Sequence, residues 1–311
     1  MPAYKNRFSA LNYVEESILD QGGEAIGTRR VKPSSISWSS FLSFRHEKEH
    51  EKRYSHGRGV QEFFTFLMVT AHERVEAIPK GQRYWRAQLH SDGDEIVDDH
   101  LVPYPPERMK PVPEKASDGR VSPQGIPVLY LSTDEQTAIS EVRPWVGSYV
   151  TAVQFETRRD LRLVDCSGCE IDPMYKTVWD LDKLFKLKPP ETEEATRVVW
   201  RWIDLAFSEP VDRDDSPGRY IPTQIIAELF KTNGFDGIRY KSLFNGGQNL
   251  ALFDKGSADQ VGESKVVQVT RIDLAFKQVH PFDFGDARGK SPGGPDASTT
   301  PPQGSASEKS P

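Results

Sequence analysis

The sequence predicts a mixed α/β or α+β fold with a strand-rich core, on three observations. Short apolar or alternating runs bounded by turn signals recur through the middle of the chain, as strands do. At least one segment, IPTQIIAELFKTNG (221–234), carries complete helix punctuation, with Pro222 in the first turn and Gly234 as the stop. Six Trp, ten Tyr and sixteen Phe in 311 residues supply enough large apolar side chains for a sizeable core.

Residues 1–80 read as a helical, polar accessory region. ALNYVEESILD (10–20) looks helical, a basic and histidine-rich stretch follows, and an amphipathic run covers 60–78. The strand signals begin after residue 80. PVLYLS (127–132), preceded by the turn signal Gln124-Gly125, reads as a buried strand, and STDEQTAISEV turns it directly into a short helix. Ser132 or Thr133 is the expected N-cap of that helix, with Glu135 or Gln136 completing a capping box. Glu141 then falls near the helix C-terminus, where the dipole disfavours a carboxylate, and this misplacement hints at function. YVTAVQF (149–155) and LRLVD (161–165) alternate like strands, and helices are expected over 174–187 and 193–207. After the helix at 221–234, FDGIRY, NLALF and VVQVTRIDLAF supply the remaining strands. Residues 285–311 contain no Val, Ile, Leu, Phe, Tyr or Trp and read as a disordered tail, which leaves 81–284 as one strand-rich domain.

The 40 Lys and Arg against 46 Asp and Glu give a formal charge of −6, which counts against coating nucleic acid or an anionic membrane. The N-terminal segment has no apolar run after its basic residues, and the strongest apolar stretch, 63–69, is far short of the roughly 20 residues that span a bilayer. Cys166 and Cys169 have no second pair to complete a four-ligand zinc site, and their C-x-x-C lacks a thioredoxin-like βαβ context. A reduced cytoplasmic chain without metal is the expectation. One motif competes with it: His46-Glu47-Lys48-Glu49-His50 satisfies H-E-x-x-H, the zinc-protease pattern in which two imidazoles one turn apart hold the metal. Its flanks are charged nearly all round, so a solvated helix laced with i,i+4 pairs is the plainer reading.

A stronger signal is a set of polar residues standing where apolar ones are expected. Arg86 lies between aromatic neighbours in RYWRAQ, and Arg120 sits in the turn SDGRVSPQG that leads into PVLYLS. Tyr130 is inside that strand, Glu141 is eleven residues on, Ser242 closes RYKS after another strand, and Asn249 follows the glycine-rich NGGQ. Taken singly, each has a structural reading: Arg86 and Glu141 as a buried ion pair, Tyr130 as a core residue, Ser242 as a turn residue.

The stretch GRVSPQGIPVLYLSTDEQTAISEV, followed in order by GFDGIRYKS and NLALFD, resembles the RES domain, a bacterial family named for an Arg, a Glu and a Ser. The resemblance runs from about Arg83 to Asp254. It implies an α+β core like that of ADP-ribosyltransferases, a helical N-terminal region and disordered tail being additions, and it places the family's catalytic residues on Arg86, Glu141 and Ser242. Arg120, Tyr130 and Asn249 become substrate-binding residues. It further implies a toxin-like enzyme that consumes NAD⁺ as substrate, without a resident cofactor, by phosphorolysis with inorganic phosphate as co-substrate, or else as an ADP-ribosyltransferase or NAD⁺ glycohydrolase. Such toxins are held in check by a helix-turn-helix antitoxin. Val121-Ser122-Pro123 departs from the aromatic and asparagine found after the turn arginine in many members. The long N-terminal region and the segment 174–217 also depart from a minimal member, so that they could stand in for a partner contact, gate the pocket or mediate homo-oligomerisation.

The residue types suit that chemistry on their own terms. Rupture of the nicotinamide–ribose bond passes through an oxocarbenium-like state, which a carboxylate such as Glu141 stabilises. Nicotinamide leaves as a neutral amide, so no general acid is needed. Arginine forks match pyrophosphate or phosphate oxygens, a tyrosine can stack or position the ribose, and Ser242 suits a positioning hydrogen bond better than nucleophilic attack.

Overall fold

In a computed structural model of the chain the described residues are 14–19, 25–31, 36–91, 96–97, 100–168, 192–209 and 217–273. The chain divides into two units, Met1–Ile272 and Asp273–Pro311, and the elements below belong to the first. The expected helix over 174–187, Cys169 and the tail 285–311 lie outside the described residues.

The first elements correct the sequence reading. Val14–Leu19 (β1) and Ala25–Val31 (β2) form an antiparallel hairpin where ALNYVEESILD read as a helix. The register sets Glu15 opposite Arg30 and Glu16 opposite Arg29, and this cross-strand pairing outweighs the helical propensity of Glu and Leu. Helices do follow, Ser40–His50 (α1) and Arg58–Ala71 (α2). The amphipathic run at 60–78 is thus split, its last four residues Val75–Ile78 forming a strand (β3). α1 is not charged all round: Phe41, Leu42 and Phe44 are buried, as is Lys48, whose Nζ donates to Glu47 Oε1 and to the Ser55 carbonyl. His46 and His50 point outward, with side chains 63% and 62% exposed, so no cleft surrounds the H-E-x-x-H pair. Among the described residues no cluster of three His, Cys, Asp or Glu side chains could hold a metal, and no helix is long and apolar enough to cross a membrane.

Strand Arg83–Leu89 (β4) and the short pair Ile96–Val97 (β5) and His100–Leu101 (β6) precede a proline-rich strap with one helical turn, Pro106–Met109 (α3). Leu129–Ser132 (β7), Glu135–Glu141 (α4), Tyr149–Thr157 (β8) and Leu161–Asp165 (β9) come next. Helices Thr192–Ser208 (α5) and Ile221–Thr232 (α6) follow, and Gly237–Lys241 (β10), Gln248–Leu252 (β11) and Ala258–Gln268 (β12) complete the set. The last strand starts and stops earlier than VVQVTRIDLAF suggested. Its limits are set by pairing with β8, from Ala258 opposite Thr157 to Gln268 opposite Tyr149.

Eight strands form one sheet in the order β12-β8-β4-β7-β11-β10-β9-β3, antiparallel except for the parallel β10–β9 pair. Together with the helices this is an α+β fold. Alternation along the strands divides the core. Val164, Ile238 and Ala251 join a cluster with Phe41 and Phe63 of α1 and α2, Val199 and Trp200 of α5, and Phe230 of α6. Their neighbours Leu163, Leu250 and Leu252 join a second cluster with Met109 of the strap. A small third cluster, Ala138 against Ala87 and Val150, seats α4 on β4 and β8.

Candidate active site

α4 is short, so its placement depends on what holds its ends. Its N-cap is Asp134, not Ser132 or Thr133: Oδ1 accepts from the Thr137 amide at 2.8 Å and Oδ2 from the Thr137 hydroxyl at 2.8 Å. Ser132 and Thr133 are instead drawn into sheet contacts, Thr133 exchanging hydrogen bonds with Gln248. The β10–β11 loop closes over this cap at Gly247, where a Cβ would lie 2.2 Å from Thr137 Oγ1 and 2.5 Å from Asp134 Oδ2. Only glycine permits that approach. The loop that carries Ser242 is thereby locked to the helix that carries Glu141.

At the other end of α4, Glu141 Oε1 accepts two hydrogen bonds, from Ser242 Oγ at 2.7 Å and from Asn249 Nδ2 at 2.6 Å. Among the described residues no donor reaches Oε2, and Glu141 lines a cavity of about 630 Å³. The Asn249 amide is itself oriented by Ser132, whose hydroxyl donates to Asn249 Oδ1 at 2.8 Å across the β7–β11 pair. Ser132, Asn249 and Ser242 are all buried. Ser132 is a positioning residue that the sequence disguised, because a Ser before a helix reads first as a cap.

Arg86, Arg120 and Tyr130 line the same cavity, as do Tyr220 and Tyr240. Arg86 on β4 makes no ion pair with Glu141. Its Nε donates to the Met109 carbonyl at 2.6 Å and Nη1 to the Tyr130 carbonyl at 2.8 Å, and burial lowers its pKa to about 10. The structural ion pair considered from the sequence is therefore replaced by an arginine that ties strap to sheet and a carboxylate held by neutral donors. Burial raises the Tyr130 phenol, whose oxygen accepts from the Val121 amide at 3.2 Å and shares a hydrogen bond with Ser122 Oγ at 3.0 Å. Ser122, at the family-departing position, thus positions Tyr130. Burial likewise pushes Tyr240 well above its usual value, so both phenols remain neutral proton donors at physiological pH.

Arg120 reaches α5, where Nη1 donates to the Ala206 carbonyl at 3.3 Å. Its turn is fixed by Gln224 of α6, whose Nε2 donates to the Gly119 carbonyl at 2.9 Å and to Asp118 Oδ1 and the Ser122 carbonyl at 3.3 Å. Gln224 carried no signal in the sequence, being one polar residue on an amphipathic helix. A third arginine, Arg143, lines the cavity two residues beyond Glu141 with φ of 48°, its guanidinium 5.3 Å from the Phe244 ring centre. All six residues singled out from the sequence are thus gathered in one place: five line the cavity, and Ser242 touches the carboxylate from behind.

On this α+β fold the cavity thus brings together the Glu141 carboxylate, held by neutral donors, and the arginines Arg86, Arg120 and Arg143. The RES domain model matches residues 83–276, and the chain belongs to the RES domain family. Membership brings the expectation of an enzyme acting on NAD⁺. Among solved structures, the chain is similar to one in the M. tuberculosis MbcT–MbcA toxin–antitoxin complex, at 13% identity and a TM-score of 0.35, over 66% of this chain and 92% of that one. No curated protein matches the sequence closely enough to count as a relative.

Proposed function

We propose that the protein cleaves the nicotinamide–ribose bond of NAD⁺ and passes the ADP-ribosyl group to inorganic phosphate. The observation that carries this reading is the Glu141 carboxylate, held through one oxygen by Ser242 and Asn249 and presenting the other to an arginine-lined cavity. As the C1′–N bond breaks, its electron pair goes to nicotinamide, which leaves neutral, and positive charge spreads over C1′ and the ring oxygen. A fixed carboxylate stabilises that charge where it develops, and little reorganisation accompanies it. A phosphate oxygen then bonds to C1′, giving ADP-ribose 1″-phosphate. Arg120 and Arg143 suit the pyrophosphate or the incoming phosphate. Arg86, with two of its donors on carbonyls, suits a positioning role that keeps the strap against the site.

Purified protein incubated with NAD⁺, with and without phosphate, tests the reading through product masses. Phosphate-dependent appearance of the phosphorylated product supports it. Free ADP-ribose in both cases transfers the reading to hydrolysis, a protein adduct transfers it to ADP-ribosylation, and intact NAD⁺ in both overturns it. In a bacterial cell such activity is toxic unless restrained, which is the place for an antitoxin-type partner in this proposal. Expression of the active chain should then arrest growth, whereas a Glu141→Gln chain should not.

A further inference from the structure

Ser132, Asn249 and Tyr240 stand in one row across the sheet. The register sets Tyr240 of β10 directly opposite Asn249 of β11, and Asn249 directly opposite Ser132 of β7. Two members of the row are spent on Glu141, since Ser132 orients Asn249 and Asn249 holds the carboxylate. The third is not. Tyr240 lines the same cavity and is only 5% exposed, its ring centre 6.1 Å from that of Phe207 on α5, yet among the described residues its hydroxyl has no hydrogen-bond partner. Tyr130 differs, because its hydroxyl is already engaged by the Val121 amide and Ser122 Oγ.

Buried hydroxyls without a partner are rare and costly in folded proteins. The Tyr240 hydroxyl is not sealed inside the protein, as the unpartnered Glu76 Oε2 and Gln260 Oε1 are, so it opens on the cavity that the residue lines. Burial first, then the nearby Tyr130 and Glu141, push its pKa well above the ordinary value. It therefore stays protonated and able to donate. Position decides which oxygen receives that proton. Neighbouring strands lie about 4.8 Å apart, so Tyr240 stands one strand away from the amide that holds Glu141. In the proposed reaction that carboxylate faces C1′ of the ribose at the scissile bond. The hydroxyls on C2′ and C3′ belong to the carbons next along the ring, whereas the pyrophosphate hangs from C5′ beyond the ring oxygen.

We propose that Tyr240 is a further catalytic residue, whose hydroxyl donates a hydrogen bond to one of these two ribose hydroxyls and so fixes C1′ against Glu141. The proposal rests on the cavity acting on NAD⁺, and it names a contact in that site that none of Arg86, Glu141 and Ser242 supplies. Tyr240→Phe removes one oxygen and keeps the ring against Phe207. Because no protein group loses a partner, the melting temperature should hold, while kcat/KM for NAD⁺ should fall about tenfold, as for a lost hydrogen bond.

Two NAD⁺ analogues locate the contact, one lacking the 2′ and one the 3′ hydroxyl of the nicotinamide ribose. On one of them the substitution should cost nothing, because the contact is already gone, and on the other it should cost the full factor. ADP-ribose, which carries the same pair of hydroxyls, should bind Tyr240→Phe about tenfold more weakly by calorimetry. Equal kcat/KM for the two chains, an equal penalty on NAD⁺ and both analogues, or a fall in melting temperature that accounts for the lost turnover would each overturn the proposal. The same selectivity in Tyr130→Phe, and not in Tyr240→Phe, would overturn it too. An unsubstituted chain that leaves NAD⁺ intact would overturn the reading of the reaction instead. The ADP-ribose titration then decides Tyr240: unequal affinities support the contact, and equal ones overturn it.

Discussion

Glu141 makes both its hydrogen bonds through one oxygen, and that asymmetry determines what its substitution does. A Glu141→Gln side chain can still accept from Ser242 and Asn249 while losing the charge. We expect kcat to fall by about 10²–10³-fold, the range for removing one preorganised electrostatic contact, with the melting temperature little changed. Glu141→Ala differs, because it strands two buried donors at a cost of about 1–3 kcal/mol each, and should lose stability as well. Retained turnover in the glutamine variant would sink the carboxylate's role. Ser132 acts at one remove. Ser132→Ala frees the Asn249 amide to rotate, and kcat should fall about tenfold, equivalent to 1.36 kcal/mol of barrier, with KM held. A fall in stability with kcat intact would make Ser132 structural only. Arg86, Glu141, Ser242 and Asn249 stood out in the sequence as polar residues at unusual places, but singly each had a structural reading, and it was the ordered resemblance to the RES domain that joined them into one site. Ser132 did not stand out, since its partner lies 117 residues away and only the β7–β11 pairing brings them together.

At the scale of elements, α4 shows how a short helix with little intrinsic stability can present a catalytic group. Isolated helices of this length are unstable in water, so α4 depends on its cap and its seat on β4 and β8. Burial by itself raises the Asp134 carboxyl, but hydrogen bonds from the Thr137 amide, the Thr137 hydroxyl and the Thr133 hydroxyl outweigh it and hold the group below its usual value. A folded pKa below the unfolded one, about 3.9, contributes stability that is full above that value and disappears as pH falls through the folded pKa. Asp134→Asn keeps the acceptor without the titration. The stability difference between the two chains, from urea unfolding at a series of pH values, should be constant near neutrality and shrink below about pH 4. A difference that persists unchanged into acid would show that the charge contributes nothing to the cap. Several elements were readable by local pattern: β9 agreed residue for residue, and α6 ends against Gly234 at φ of 80° as its sequence demands. The β1–β2 hairpin and the shifted β12 were misread because cross-strand partners decide them, and a partner is not visible in a window of ten residues.

The family match begins at residue 83, but the core of the molecule does not. Phe41 and Phe44 of α1, with Phe63, Phe66 and Leu67 of α2, share one buried cluster with Trp200 of α5, Phe230 of α6 and Ile238 of β10. Trp200 Nε1 also donates to Thr70 Oγ1 of α2 at 3.0 Å, and β3 pairs with β9 at the sheet edge. Removing even one buried Phe or Trp side chain costs about 3–5 kcal/mol, while a whole domain is stable by only about 5–15 kcal/mol. A fragment of residues 83–276 should therefore lack a cooperative thermal transition, bind a hydrophobic dye and show no NAD⁺ turnover. A fragment of residues 36–276, which restores α1, α2 and β3, should melt cooperatively. The boundary near residue 80 that composition suggested is put to the same test: a cooperative melt for 83–276 would make the preceding helices an accessory region, and its absence would make them part of the catalytic core. Should 83–276 fold but remain inactive, the test turns to α5, which those helices buttress and whose Ala206 carbonyl holds Arg120 at the cavity wall. Activity would then return on adding residues 36–82 as a separate chain, by the same packing that joins them in the intact protein.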